Sequence, residues 1–164
     1  MSTHDQKEWF DQTGPRDNFR DAEDSDEGLR FDCTLCGGCC TGQEGFVNFT
    51  DDEAKAMADD LGIPLDKFLK KYTHNTPAGP SLTERKTKFG YDCVFLDRKT
   101  IPGKAVCGVY KSRPVQCRTW PFWETNLSSE HAWRGAAAGC PGIDRGQQVI
   151  HPTQIRIQRA KVPM

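Results

Sequence analysis

Cysteine is the residue type whose number and spacing most directly suggest chemistry in this sequence. Eight of the 164 residues are cysteines, and four of them fall within one short segment in the pattern Cys-x2-Cys-x2-Cys-Cys. Thiolates two residues apart can reach a common soft metal ion at about 2.3 Å, and intervening glycines give the backbone room to fold around it. We therefore predict that the thiols are metal ligands. The predicted ligands are Cys33, Cys36, Cys39, Cys40, Cys93, Cys107, Cys117 and Cys140.

The redox compartment decides whether such thiols bind metal or form disulfides. Residues Met1 to Trp9 lack the apolar stretch of a secretory signal, so we expect a cytoplasmic protein in which thiols stay reduced. In a secreted protein the same cysteines would instead form a disulfide framework. Mean hydropathy is −0.69 and no run of about 18 apolar residues occurs, which excludes a membrane-spanning helix.

The number of metal centres stays open at this point. We expect the side chains of Cys39 and Cys40 to point in different directions, which favours two centres or one polynuclear cluster with an extra thiol. In ferredoxins, three cysteines at intervals of three residues share a cluster with a fourth cysteine that precedes a proline. The same spacing here groups four of the eight cysteines into one set. That set is Cys33, Cys36, Cys39 and Cys140, and it leaves Cys40, Cys93, Cys107 and Cys117 for a second centre. Zinc sites usually have two close pairs of ligands, whereas here the cysteines form one crowded triplet and scattered single residues. This spacing favours an iron–sulfur cluster, and zinc is the alternative metal.

Three further residues are candidates for binding beside the cysteines. Arg113 and Arg118 flank Cys117 and can hydrogen-bond thiolates or hold an anionic ligand, although ordinary surface roles are the alternative. Tyr110 is a candidate proton donor, and the alternative is a tyrosine packed in a strand. The sequence contains no glycine-rich phosphate loop, no His-Glu-x-x-His and no pair of carboxylates that suggests a catalytic site, so no catalytic residue is assigned.

Helix signals precede and follow the scattered cysteines. The segment Thr50-Asp-Asp-Glu53 is a capping box, and apolar residues at helical spacing extend the helix to Gly62. Pro64 then begins a second helix with an apolar face expected in the core. That face consists of Leu65, Phe68, Leu69 and Tyr72. Further short helices are predicted near 113–120 and 128–138.

Strand signals are shorter and weaker. We predict strands at 29–31 and 45–49, a loop over 73–81, and two strands at 88–97 and 105–110 joined by a turn at Pro102-Gly103. Together these elements predict an α+β fold, a small irregular single domain with short helices and a small antiparallel sheet. Long irregular segments bury little surface to offset the loss of conformational entropy on folding. We therefore expect bound metal to contribute much of the folding free energy of this domain.

Charge is distributed unevenly along the chain. Net charge is −1, which gives no general case for nucleic-acid binding, but residues 1–32 hold ten acids and four bases. We therefore predict an acidic flexible N-terminal arm over 1–28, a metal-binding domain over 29–150 and a basic C-terminal tail over 151–164.

The cysteine motifs resemble the YkgJ-type cysteine-cluster family, described as a zinc- or iron-chelating domain. The resemblance covers residues of about 30 to 145 and includes all eight cysteines of the family pattern. It rests on the Cys33–Cys40 cluster, Tyr91-Asp-Cys93-Val-Phe-Leu96, Cys107-Gly-Val-Tyr110, Arg113-Pro114, Cys117-Arg118, Pro121-Phe122 and Cys140-Pro-Gly-Ile143. Members are often labelled iron–sulfur oxidoreductases, and flagellin lysine methylases carry a similar motif. The resemblance implies metal binding, and implies an enzyme only weakly.

Two functions are consistent with these observations. The first is a redox or electron-transfer component with a cysteine-bound iron–sulfur centre and a protein redox partner. The second is a non-catalytic zinc module whose surface binds another protein. Metal ions are the expected ligands in both cases, without nucleic acid or membrane.

Overall fold

The computed structural model describes residues 7–12 and 28–162. Contacts divide the chain into two compact units, one formed by residues 1–34 with 121–164 and the other by residues 35–120. Short helices and antiparallel strand pairs occur together, which confirms the predicted α+β class. Within the described ranges, no helix has the length and apolar character needed to cross a membrane.

The elements are short throughout. The α-helices are α1 (Asp51–Asp60), α2 (Leu65–Tyr72), α3 (Val115–Arg118), α4 (Glu124–Leu127), α5 (Glu130–Gly139) and α6 (Pro152–Ala160). The strands are β1 (Leu29–Arg30), β2 (Thr73–Thr76), β3 (Gly79–Leu82), β4 (Glu84–Thr87), β5 (Gly90–Cys93), β6 (Leu96–Asp97), β7 (Val106–Cys107) and β8 (Val149–Ile150). Short 3-10 helices span Trp9–Gln12, Gly38–Cys40 and Tyr110–Ser112.

The unit of residues 35–120 has its own apolar core beneath α1 and α2. The predicted capping box is confirmed: the Thr50 hydroxyl accepts from the Glu53 amide at 3.2 Å, and the Glu53 carboxylate accepts from the Thr50 amide at 2.8 Å. On α2 the predicted apolar face is only partly buried, because Phe68 is fully buried whereas Leu65 and Leu69 are about 40% exposed. The core residues are Phe49, Ala54, Met57, Ala58, Phe68, Leu82, Cys93, Phe95, Leu96, Ala105 and Val109.

Strand pairing in this unit differs from the prediction in three places. The predicted loop over 73–81 is wrong, since β2 and β3 form an antiparallel hairpin there. The predicted strand over 88–97 is divided between β5, which pairs with β4, and β6, which pairs with β7 in the register Leu96↔Cys107. The predicted strand at 45–49 is reduced to an isolated bridge between Asn48 and Ser81.

The unit that contains both ends of the chain is held by one strand pair, aromatic packing and ion pairs. Strand β1 pairs with β8, as the predicted strand at 29–31 requires, and the fully buried Trp133 stacks on Phe122 with ring centroids 5.9 Å apart. Arg156 of α6 pairs with Glu8 at 2.9 Å and with Asp11 at 2.5 Å. Residues 7–12 and 152–160, predicted as parts of an arm and a tail, are therefore folded. The predicted arm over 13–27 lies outside the described residues.

Candidate metal centre

Five cysteines of the unit 35–120 lie on four different elements. Cys39 and Cys40 belong to the 3-10 helix Gly38–Cys40, and Cys93 and Cys107 are the last residues of β5 and β7. Cys117 lies in α3. All five are free thiols, and we call them the thiol cluster. A ligand bound by the thiol cluster would therefore join segments that are distant in sequence.

The sulfur atoms of the two adjacent cysteines lie close together. Their Sγ atoms are 3.5 Å apart, close to the separation of about 3.8 Å between two sulfurs on one tetrahedral metal ion with bonds of about 2.3 Å. The expectation that Cys39 and Cys40 diverge was wrong. A 3-10 turn places successive side chains about 120° apart, which brings the two sulfurs closer than side chains on opposite sides of an extended strand would be.

A glycine fixes the path of the chain into this turn. Gly37 has φ +77°, a left-handed conformation that glycine adopts without strain. A Cβ atom at this position would lie 2.7 Å from the Cβ of Ala105, so the backbone also needs glycine for its close approach. The Leu35 carbonyl accepts from the Ala105 amide at 2.8 Å. Together these contacts hold residues 35–40, which we call the cysteine loop, against the segment that leads into β7.

Three cysteines accept a hydrogen bond from the backbone amide two residues further on. The Gly38 amide donates to the Cys36 sulfur at 3.3 Å. The Phe95 amide donates in the same way to Cys93, and the Val109 amide to Cys107. Amide donors stabilise a thiolate more than a thiol, because the acceptor is then charged. The backbone is therefore arranged to support these sulfurs as anionic ligands.

The acidity of the thiols shows that they share one electrostatic environment. Burial raises the pKa of Cys93 to about 11 and that of Cys117 to about 12. The charges of Cys93, Cys39 and Cys107 each raise the pKa of Cys117 further. Burial likewise raises the pKa of Cys107. Without a cation, these sulfurs are therefore protonated at neutral pH.

Cys39 is the exception within the thiol cluster. The hydrogen bond between the two sulfurs lowers the pKa of Cys39 to about 7, and the positive charge of Arg113 lowers it further. The same hydrogen bond, together with burial, raises the pKa of Cys40. Cys39 is also solvent-exposed. It is therefore the thiol of the cluster that loses its proton most readily.

Helix α3, which carries Cys117, is held in place by a carboxylate from α1. One Glu53 oxygen accepts from the Val115 amide at 2.6 Å and lies 3.7 Å from the Arg118 guanidinium. Gln116 adds two hydrogen bonds, accepting from the Asn48 amide at 3.1 Å and donating to a loop carbonyl. The sequence indicated Glu53 only as a capping residue. Its second oxygen, which capping leaves unused, accepts from α3, and no feature of the sequence indicated that contact.

The three other predicted site residues have different surroundings. Arg113 donates to the Tyr110 carbonyl at 2.9 Å and lies 3.7 Å above the Tyr110 ring. Its charge lowers the pKa of Cys39 and acts in the same direction on Cys107 and Cys117. Tyr110 is 48% exposed in a 3-10 helix and is not the packed strand residue considered as the alternative.

Arg118 has a half-exposed side chain that pairs with Glu53. Binding of an anionic ligand by Arg113, Arg118 or Tyr110 stays a prediction.

The remaining cysteines are distributed over both units. Cys36 is exposed in the unit 35–120, and Cys33 is exposed in the unit that contains both chain ends. Cys140 is buried there, at the C-terminal end of α5. The predicted grouping of these three with Cys39 stays a prediction.

The chemical types of the donor atoms fit a soft metal. In the part of the chain that the structure describes, no three Cys, His, Asp or Glu side chains converge as a formed site. The thiol cluster nevertheless supplies sulfur donors, backbone amides aimed at sulfur and one acidic thiol. Thiolates are common ligands of structural zinc sites and the usual ligands of iron–sulfur clusters. The residues present therefore fit either group.

Comparison with known proteins agrees with this geometry. A family model, CxxCxxCC, described as a putative zinc- or iron-chelating domain, matches residues 32–141. No solved structure matches the chain. The matched range contains all eight cysteines and the whole thiol cluster. The chain belongs to the CxxCxxCC family of zinc- or iron-chelating domains.

Proposed function

We propose that the thiol cluster binds iron, as an iron–sulfur centre, and that the protein serves as a redox or electron-transfer component. Metal binding itself follows from the family. The observation that supports the site is that five free thiols on four elements share one electrostatic environment, with three sulfurs of the unit 35–120 accepting backbone amides. Amide donors to sulfur and a nearby cation are the means by which proteins adjust iron–sulfur potentials.

The chain's own residues would act in a definite order. Cys39, exposed and partly ionised, offers the first anionic sulfur. Cys40, with its sulfur 3.5 Å away, would lose its proton next, because a bound cation would offset the hydrogen bond and the burial that keep this thiol protonated. Cys93, Cys107 and Cys117 follow as the segments close. A bound iron–sulfur centre would supply reversible one-electron transfer.

Residues around the thiol cluster would support this role. Arg113 would compensate the negative charge of the thiolates, with Tyr110 beneath it. A redox role further requires a protein partner and a reducing compartment such as the cytoplasm. We also propose residues 29–150 as the metal-binding domain.

A zinc module is the second candidate, and one observation favours it. The thiol cluster lies on β5, β7, α3 and a 3-10 helix. Strand β5 pairs with β4 and β7 with β6, so no strand pairing in the described residues connects β5 to β7. A redox-inert ion that joined them would stabilise the fold by roughly 10 kcal/mol or more. Such a module would present a surface to a partner without catalysis.

Elemental analysis of anaerobically purified protein tests the proposal. We expect iron and acid-labile sulfide together, with a broad visible absorption that bleaches on reduction with dithionite. Stoichiometric zinc in colourless protein would instead support the second candidate. Cys107→Ser and Cys117→Ser should lose bound metal, whereas His74→Ser, on an exposed strand position, should retain it. Full metal content in both cysteine variants would refute the thiol cluster as the site.

A further inference from the structure

A cleft of about 940 Å³ opens in the unit 35–120, beside the turn of the β4–β5 hairpin and the segment after β6. Small-molecule sites have volumes of roughly 300–1,000 Å³. No cysteine lines the cleft, so it is distinct from the thiol cluster. Neither the family description nor the proposed redox role assigns a ligand to it.

The inner wall of the cleft is apolar. Phe95 and Leu96 are buried at 7% and 2% exposure, and the ring of Tyr72 lies 5.0 Å from that of Phe95. Val94 continues this wall between β5 and β6. A flat hydrocarbon or aromatic group of a ligand would lose its contact with water here, which favours binding.

One side of the cleft is a fixed aromatic ring. Phe89 is 52% exposed, and the Arg98 guanidinium lies 4.2 Å from its ring centroid. Arg98 is in turn fixed by two hydrogen bonds of 3.1 Å to the carboxylate of the buried Asp92. The ring is therefore held by a cation that is itself anchored, and the Lys88 ammonium lies 5.1 Å from the same ring centroid, so a planar ligand beside Phe89 would also meet a positive charge.

The charge of the cleft is predominantly positive. Its lining residues include four cations and two carboxylates. Arg98 is neutralised by Asp92, whereas Arg85 donates to the neutral carbonyls of Val94 and Leu96. The ammonium groups of Lys88 and Lys99 make no ion pair with any side chain in the described residues. The second carboxylate, Asp97, accepts from the backbone amides of Lys99 and Thr100, so four cations and two carboxylates leave the lining with a net charge of +2.

We propose that this cleft binds a small organic anion with a planar apolar body, such as an aromatic phosphate or carboxylate. The apolar wall and Phe89 would contact the ring, and Arg85, Lys88 and Lys99 would contact the anionic group. The inference does not depend on which metal the thiol cluster binds, because no lining side chain is a predicted metal ligand.

Isothermal titration of the full, metal-loaded chain with 1-naphthyl phosphate tests the inference. We expect binding at one site per chain. Lys88→Gln and Lys99→Gln should each weaken it about two- to fivefold at low salt, the effect of an exposed charge pair. Phe89→Ala should weaken it as well. Lys67→Gln removes the same charge from an exposed position of α2 outside the cleft and should leave the affinity unchanged.

Two results would overturn the inference. One is the absence of saturable binding at millimolar 1-naphthyl phosphate. The other is inorganic phosphate binding as tightly as 1-naphthyl phosphate, since the apolar wall would then contribute nothing. Metal content is measured on the same samples: a lysine variant that loses affinity while it retains its metal supports the cleft. A failure to bind the probe leaves the proposed metal function intact.

Discussion

Replacing Gly37 by alanine tests whether the cysteine loop is fixed by close packing. At φ +77° an alanine pays roughly 1–2 kcal/mol of backbone strain. Its Cβ would also lie 2.7 Å from the Cβ of Ala105, and overpacking of this kind costs about 1–3 kcal/mol. We therefore expect Gly37→Ala to lower the free energy of unfolding by about 2–5 kcal/mol. The loop should shift, and metal affinity should fall with it.

Gly62→Ala provides a matched control for the backbone term. Gly62 has φ +65°, and a Cβ atom there would meet no heavy atom within 4 Å. This variant should therefore lose only the strain of roughly 1–2 kcal/mol and keep its metal affinity.

Urea unfolding of both variants, at one fixed concentration of free metal, measures the difference, since bound metal contributes to stability. Equal losses of stability and unchanged metal affinity in Gly37→Ala would refute the packing argument.

Three further perturbations test other parts of the structure. Glu53→Ala should cost about 1–3 kcal/mol and weaken metal binding, because the carboxylate caps α1 and accepts from the Val115 amide of α3. Asp52→Ala on the same helical turn should change neither by much, and equal effects in urea unfolding would contradict this role. The hydrogen bond from Arg98 lowers the pKa of Asp92 below 3.8, so its stabilisation is complete above pH 4 and lost as pH falls through the lowered pKa. The unfolding midpoint of Asp92→Asn should therefore depend less on pH in acid, and an unchanged slope would argue against the pair. Anaerobic removal of metal by a chelator should lower the unfolding midpoint measured by circular dichroism, because the folded chain alone brings the thiols together; an unchanged midpoint would count against stapling.

Features encoded by neighbouring residues could be predicted from the sequence. The capping box at the start of α1 needs only a threonine and a glutamate three residues apart, and both of its hydrogen bonds are present. The β2–β3 hairpin was missed because Pro80 and its flanking residues are typical of loops. In a sheet of two strands every strand is an edge, so a residue without an amide hydrogen is tolerated there.

The site itself depended on contacts that spacing does not reveal. Proximity of Cys117 to Cys93 and Cys107 arises from folding of segments that are distant in sequence, so the sequence indicated the ligand type but not which thiols lie together. The direction of the Cys39 and Cys40 side chains depended on a turn initiated by Gly37. The second role of Glu53, toward α3, required knowledge of where α3 lies.

The strand pairs have a consequence for ion selection. Every sheet in the described residues has two strands, so β5 and β7 can each move without breaking a larger ladder of hydrogen bonds. A metal site that selects ions by their radius needs ligands on rigid elements, and short two-stranded sheets are less rigid than larger ones. Ions of different radius can then be accommodated by small adjustments of individual segments. In this architecture we therefore expect sulfur preference and the supply of each metal, more than cavity size, to select the bound ion.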